Sequence, residues 1–466
     1  MGLLIKNGTI VSDSAEWISD ILVEDEKIVS IAKDIPVEGH EVVDATGKYV
    51  FPGGVDEHVH MGPFDSYSFE TSHAALVGGT TTLVDFSPQY KGMGVIESLH
   101  KHNEENAVGK ASPDYSFHAM IMENSDKVLD EIPHMVDAGI VNLKLFMAYK
   151  YTPFMVEDDL IFKCMQEAKK YGITIMVHAE NGGLVDILQK ELRAQGAEAP
   201  INHSYSRPPL VEDEATSRAI YMAELADCPL FVVHVTTKGA FRRIKEAHER
   251  GLPVYGETCT HYLVLDESYL AKPNFEGAKY VCAPALRTKD HGEVLWEAVH
   301  NGELQAISSD HAAVVGGFEA KKRGIHDFTK IPNGAPGMQD RLHMIWTQGV
   351  EKGRITRQDF VRLCMTNPAK VCGIFPQKGA LLPGSDADIL IFDPTYCGTI
   401  TLADQYEGTD YAAYEGFEKK GIADKVYLRG KLMAERGKFV GERGQGRYIK
   451  PKPYTKSYDE YHKKKD

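Results

Sequence analysis

The stretch Leu230-Phe231-Val232-Val233-His234-Val235 is apolar at every position but one, and that one is an imidazole near its end. A half-exposed strand alternates polar and apolar residues, whereas a parallel strand covered on both faces reads as a nearly continuous apolar run. The run therefore predicts a buried parallel strand that carries a histidine out of the core. Working outward, similar runs recur between about residues 51 and 375: Gly54 to His60, Thr80 to Phe86, Tyr115 to Ile121, Val141 to Met147, Ile173 to Ala179, Pro253 to Cys259 and Leu304 to Asp310. Stretches of helical period separate them. Eight βα units predict an α/β fold of the (β/α)8 TIM-barrel type, with a doubly wound open sheet as the structural alternative.

Two shorter β-rich segments bracket this middle. Leu3 to Val11 and Asp20 to Ile31 lie before it, and Ala387 to Asp393 and Lys425 to Met433 after it. Neither flank can bury a core alone, so the two are expected to pair into one β-sandwich built from both chain ends. The predicted organisation is residues 1–50 and 376–442 in the sandwich and 51–375 in the barrel. Residues 443–466 form a Tyr/Lys-rich tail without apolar period, read as either disordered or an arm laid on a neighbouring subunit.

Bulk composition narrows the function. The 52 Lys+Arg against 67 Asp+Glu give a formal charge of -15, which would repel a phosphate backbone, so nucleic acid is not an expected partner. The seven cysteines are scattered and include no C-x-x-C pair, as suits a reducing compartment. No run of about 18 apolar residues occurs, so no membrane span is expected and a soluble cytoplasmic protein follows.

In a barrel of this type, catalytic groups sit at the C-terminal ends of the strands. His58 and His60 close the first run, His178 the fifth, His234 the sixth and Asp310 the eighth, which is the pattern of a metal site. An H-x-H pair proves little alone, because 19 histidines in 466 residues make about one such pair a chance event. Indeed His100 and His102 form a second pair, but in a polar stretch that reads as helix, where i and i+2 side chains diverge. In a strand, i and i+2 face the same side, so His58 and His60 can share one ion.

Lys144 lies in Val141-Asn142-Leu143-Lys144-Leu145-Phe146-Met147-Ala148-Tyr149. If Leu143 and Leu145 pack against the outer helices, alternation turns Lys144 into the barrel. A buried ammonium is costly, and such lysines are commonly neutral, paired or chemically modified. Two metals roughly 3.5–4 Å apart would also need an anionic bridge, and the histidines with one aspartate supply too little negative charge.

Together these residues resemble the dihydropyrimidinase and D-hydantoinase family of the amidohydrolase superfamily over nearly the whole chain. The resemblance is carried by Phe51-Pro52-Gly53-Gly54-Val55-Asp56-Glu57-His58-Val59-His60, Gly78-Gly79-Thr80-Thr81-Thr82, Lys144-Leu145-Phe146-Met147-Ala148-Tyr149-Lys150, Val177-His178-Ala179-Glu180-Asn181, Ser309-Asp310-His311 and Pro332-Asn333-Gly334-Ala335-Pro336-Gly337. It implies a cyclic amidohydrolase with two zinc ions per subunit and Lys144 carboxylated by carbon dioxide. His58, His60, Lys144 and Asp310 would bind one zinc, and Lys144, His178 and His234 the other, with a hydroxide spanning the pair. It further implies Asp310 as general base and acid, Tyr149 as oxyanion donor, substrate amides read by the backbone at Ala283 and Asn333, and a homotetramer or homodimer.

Two departures from the family are visible. Ala283 stands where the family usually has Ser, and the segment Met61 to Ser68 is shorter than the family's loop after the H-x-H pair. Phe64 and Tyr67, with Tyr151 and Phe154 after the fourth strand, suggest a pocket for an apolar or aromatic ring substituent. Dihydroorotase would need a cation just after the H-x-H pair, where Met61-Gly62-Pro63 stand instead. An allantoinase-like ureide hydrolase and a non-catalytic dihydropyrimidinase-related scaffold are the other readings, and retention of all six ligand candidates disfavours the scaffold.

Overall fold

The computed structural model of the protein describes residues 2–62 and 65–453. The chain begins with β1 (Gly2–Val11), β2 (Glu16–Glu24), β3 (Lys27–Ala32), β4 (His40–Asp44) and β5 (Tyr49–Pro52). Eight strands follow, interleaved with helices: β6 (Gly54–Val59), β7 (Thr80–Pro88), β8 (Asp114–Met120), β9 (Asn142–Phe146), β10 (Thr174–His178), β11 (Leu230–Val232), β12 (Val254–Cys259) and β13 (Ala306–Ser308). The chain then returns through β14 (Ile389–Thr399), β15 (Glu418–Leu428), β16 (Lys431–Glu435) and β17 (Lys438–Phe439).

Strands β6 to β13 pair in sequence order, all parallel. The loop after β13 closes the ring, since Val59 bridges His311 in parallel and the His60 N–H donates to the His311 carbonyl at 2.7 Å. The TIM barrel expected from the apolar runs is therefore present, with each run within a few residues of its strand. Alternation along the strands sorts the side chains as expected. Leu143 and Leu145 join the large core between sheet and outer helices, while Phe86, Met120, Phe146, Met176 and Phe231 pack together inside the barrel.

Both chain ends build one nine-stranded mixed sheet, in the order β17-β16-β15-β14-β5-β1-β2-β3 with β4 on β1. The sheet curls around Ile5, Ile10, Ile21, Val23, Val50, Ile389 and Ile391, and its far edge returns on itself where Lys27 bridges Asp386. This is the terminal β-sandwich predicted above. A buried ion cluster joins it to the N-terminal end of the barrel: Lys378 Nζ lies 2.6 Å from Asp114, 3.0 Å from Asp386 and 2.9 Å from Asp388, and Arg429 pairs with Asp114 from the other side.

The tail departs from its expectation over the residues described. Residues 443–453 run along this chain's own barrel. The Tyr115 N–H donates to the Arg447 carbonyl at 3.0 Å, the Ile449 N–H to the Tyr115 carbonyl at 2.7 Å, and the Tyr448 ring stacks on Phe117 at 6.0 Å. The start of β8 offers unpaired backbone groups and exposed aromatic area, and the tail satisfies both. The part of the tail beyond residue 453 lies outside the described residues. Six of the seven cysteines are buried, Cys397 is exposed, and all seven are unbridged. Among the described residues no helix is long and apolar enough to cross a membrane.

Lys378→Met would leave Asp388 buried without its counter-charge and Asp114 with Arg429 alone, which is expected to cost about 3–5 kcal/mol. A clearly lower urea midpoint for the variant is the expected result.

Candidate metal centre

His58 and Lys144 sit within β6 and β9, whereas His178, His234 and Asp310 lie where the chain turns at a strand end. Asn181 caps the helix Gly182–Ala194 by accepting the Leu184 N–H at 3.1 Å, so the chain reverses directly after His178. Thr237 does the same for the helix Lys238–Glu249, three residues after His234. Tyr149, His234 and Asp310 adopt left-handed backbone angles, with φ of +64°, +42° and +46°. For residues other than glycine such angles cost about 1–3 kcal/mol each, and they cluster where side chains are aimed at a site.

The groups converge. His58 Nε2 lies 3.3 Å and His60 Nε2 3.4 Å from the same oxygen, Asp310 Oδ1. The His58 ring is 5.3 Å from His60 and 5.4 Å from His234, and His234 is 4.5 Å from His178. Lys144 is buried, with Nζ 4.7 Å above the Phe86 ring and 5.2 Å above Phe146, and no carboxylate within ion-pair distance among the described residues. His60, Lys144, His178, His234 and Asp310 line one cavity of about 180 Å³. By contrast His102, on the helix Val95–His102, turns to Asp85 at 2.7 Å, and Asp85 also accepts the Met61 N–H. It thus supports the segment leaving His60, as its helical position leads one to expect.

Electrostatics favour cation binding. Burial pushes His58, His178 and His234 down, and the Lys144 ammonium adds to each shift, so these rings are neutral and carry ligand lone pairs. Burial alone would raise the Asp310 carboxyl, but His58 and His60 outweigh it and hold it well below the usual carboxylate range. Burial pushes the Lys144 amine down to about 8.

A second row, which the sequence reading did not single out, orients these ligands. His58 Nδ1 contacts Glu257, leaving the buried Nε2 without a hydrogen-bond partner and facing Asp310. Glu257 also accepts the His234 N–H at 3.3 Å, while burial pushes its carboxyl up to about 7 beside the buried Glu57. His178 Nε2 meets Glu180 at 2.7 Å, which leaves Nδ1 as the free ring nitrogen, and Arg207 pairs with Glu180 at 2.6 Å. The guanidinium of Arg207 then lies 5.6 Å from the Tyr149 ring centre. Glu257 could have been found by the logic applied to Lys144, since it too is a charged residue inside a buried parallel strand.

On the remaining residues the outcome is mixed. Tyr149, Phe154, Ala283 and Asn333 line the cavity, with Phe154 5.8 Å from Tyr149. Tyr67 lies outside that lining, beside Gly408, and its N–H donates to the Ala313 carbonyl at 2.9 Å. Tyr151 is 78% exposed, with Lys150 and Lys190 over its ring. Phe64 lies outside the described residues.

The donor set fits a metal: the ligand atoms of His58, His60 and Asp310 all lie within 4.8 Å of one another, and His58 Nε2 is otherwise an orphaned buried nitrogen. A TIM barrel with neutral imidazoles and an ionised carboxylate gathered at its C-terminal strand ends is the architecture of a metal-dependent hydrolase. More narrowly, the chain belongs to the amidohydrolase family, whose model matches residues 49–433. It is 45% identical to the D-hydantoinase of Geobacillus stearothermophilus over 463 residues, 97% of each chain. It is 43% identical to the D-hydantoinase of Ralstonia pickettii over 465 residues, 97% of this chain and all of the other. The crystal structure of dihydropyrimidinase from Brevibacillus agri NCHU1002 superposes with a TM-score of 0.94 at 45% identity, covering 97% of this chain and 99% of that one.

Glu257→Gln is expected to weaken divalent-cation affinity about 10- to 100-fold, because the proton acceptor that fixes the His58 ring becomes neutral. Chelator competition on the purified protein measures this, and unchanged affinity would remove Glu257 from the site.

Proposed function

We propose that the chain hydrolyses the ring amide bond of 5-substituted hydantoins or 5,6-dihydropyrimidines to N-carbamoyl amino acids, with two zinc ions as resident metals. The observation that carries this reading is the convergence of His60, His178 and His234, an ionised aspartate and a buried lysine on one cavity with an aromatic wall, with His58 facing the same aspartate. The D-hydantoinases and the dihydropyrimidinase matched over nearly their full lengths support the same substrate class.

In this reading His58, His60, Lys144 and Asp310 would hold one zinc and Lys144, His178 and His234 the other, with Lys144 serving both in its carboxylated form. An amine with a pKa of about 8 is neutral in about one molecule in ten at pH 7. That neutral amine can bond to the carbon of CO2 and release a proton, which converts a costly buried cation into an anionic ligand. The ions, once bound, lower the pKa of a coordinated water towards about 7 and polarise the ring carbonyl.

The protein's own groups complete the reaction. Asp310, kept ionised by His58 and His60, accepts the water proton at its carboxylate and returns it to the ring nitrogen as the C–N bond breaks. Burial pushes the Tyr149 phenol up, so it stays protonated and donates to the oxygen that gains charge. The backbone of Ala283 and Asn333 reads the ring amide, and Phe146, Phe154 and Tyr149 present apolar area to the substituent.

A homodimer or homotetramer in the cytoplasm completes the proposal. Its support is a stripe of exposed apolar residues, Leu210, Tyr221 and Leu225, on the helix Pro209–Ala226, the kind of surface a partner copy covers.

Lys144→Ala is expected to lose both zinc and turnover, and unchanged zinc content in that variant would refute the bridging role. Tyr149→Phe should keep its zinc but lose about 10²–10³ in kcat. Full activity would remove the phenol from the mechanism. Assays of dihydrouracil, hydantoin and an aryl-substituted hydantoin by the wild type test the substrate class. A protein that binds no metal and leaves all three intact would be the non-catalytic scaffold.

A further inference from the structure

Lys321 ends the short helix Gly317–Lys321 and is completely buried. Its Nζ donates to three backbone carbonyls: Val281 at 3.2 Å, Pro332 at 2.6 Å and Gly334 at 2.6 Å. Those bonds use all the hydrogens an ammonium has. Among the described residues no carboxylate lies within ion-pair distance of it. Lys378, equally buried, is ringed by three aspartates, so Lys321 is the anomaly. Burying a charge without a counter-charge costs several kcal/mol, an expense that pure packing would avoid with a methionine.

What Lys321 binds gives the reason. Val281 precedes Cys282 and Ala283, while Pro332 and Gly334 flank Asn333, and Ala283 and Asn333 line the cavity. Behind them every neighbouring carbonyl is occupied: Val281 also accepts the Gly334 N–H at 3.0 Å, and Cys282 accepts from His203 Nε2 at 2.8 Å. Among the described residues, the backbone groups of Ala283 and Asn333 themselves bond to no protein atom and are left for a ligand. Gly334, at φ +110°, allows the close approach, since a Cβ there would sit 2.6 Å from Ala312.

We infer that Lys321 is a positioning residue for substrate recognition: its ammonium ties the 281–283 and 332–334 segments together from behind and fixes the spacing at which Ala283 and Asn333 meet the ring amide. This rests on the cyclic-amide reading above. A neutral amine offers two hydrogens and a lone pair, so deprotonation breaks at least one tie and sets a lone pair against a carbonyl. Burial pushes Lys321 down to about 7, so the clamp is charged below neutral pH and is lost as pH rises through that value. Burial pushes the neighbouring Cys282 up to about 12 and His203 down to about 3, both away from pH 6 to 9, and the Arg323 guanidinium adds to the downward shift of Lys321. Glu319 pairs with Lys322, Glu276 with Lys279, and Asp327 with Arg193.

The test is steady-state kinetics of the zinc-loaded wild type, Lys321→Met and Lys321→Arg on dihydrouracil from pH 6 to 9, with zinc content measured alongside. For the wild type, KM should climb about tenfold across that range. Lys321→Met should hold wild-type zinc and a kcat within about threefold, with a KM already about tenfold high at pH 6 and flat with pH. Lys321→Arg, which cannot deprotonate, should also be flat, and it decides the matter if the methionine variant does not fold. A wild-type KM that is flat with pH, or a pH-dependent KM in either variant, overturns the clamp. A wild type inactive on every cyclic amide overturns the functional reading and this inference with it.

Discussion

A lysine amine enclosed with imidazoles inside a β-barrel cannot keep a positive charge without a large loss of solvation, and this constraint organises the whole site. Lys144 faces inward because β9 alternates, sending Leu143 and Leu145 to the helices. Burial loosens its proton without removing it, its charge helps keep His58, His178 and His234 neutral, and His58 and His60 in turn hold Asp310 ionised. Each of these consequences is also a requirement for binding divalent cations: lone pairs on the imidazoles, an anionic carboxylate, and a nucleophilic amine open to carboxylation.

Around this centre lies a row of groups that act through the ligands. Glu257 behind His58, and Glu180 with Arg207 behind His178, each occupy one ring nitrogen and so select which nitrogen faces the cavity. Arg207 also reaches the Tyr149 ring, which links the proposed ligand His178, through Glu180, to the proposed oxyanion donor. The opposite wall follows the same logic with backbone groups, where Lys321 and His203 occupy the rear carbonyls and leave the front edge unbonded.

The barrel was legible because parallel strands buried on both faces leave an unbroken apolar signature, and the ligand candidates were legible because polar residues interrupt that signature at strand ends. Lys144 could be read from alternation alone. Loop residues were harder, since nothing local fixes where a loop side chain points. Phe154 meets the cavity, whereas Tyr151, three residues earlier, is exposed and Tyr67 lies beside Gly408. The first part of the tail, up to residue 453, was hard to read for a related reason. Its contacts with Tyr115 and Phe117 are backbone bonds and single aromatic stacks, which leave no periodic pattern in sequence. Glu257 and Lys321 show the converse: one buried charge in an apolar context deserves the same question wherever it falls.

The most direct measurement is a crystal structure of zinc-loaded protein grown with bicarbonate, with anomalous data collected at the zinc edge. Two anomalous peaks roughly 3.5–4 Å apart, joined by carboxylate density on the Lys144 nitrogen, are the expected result. A single peak, or an unmodified Lys144 amine beside two ions, would contradict it.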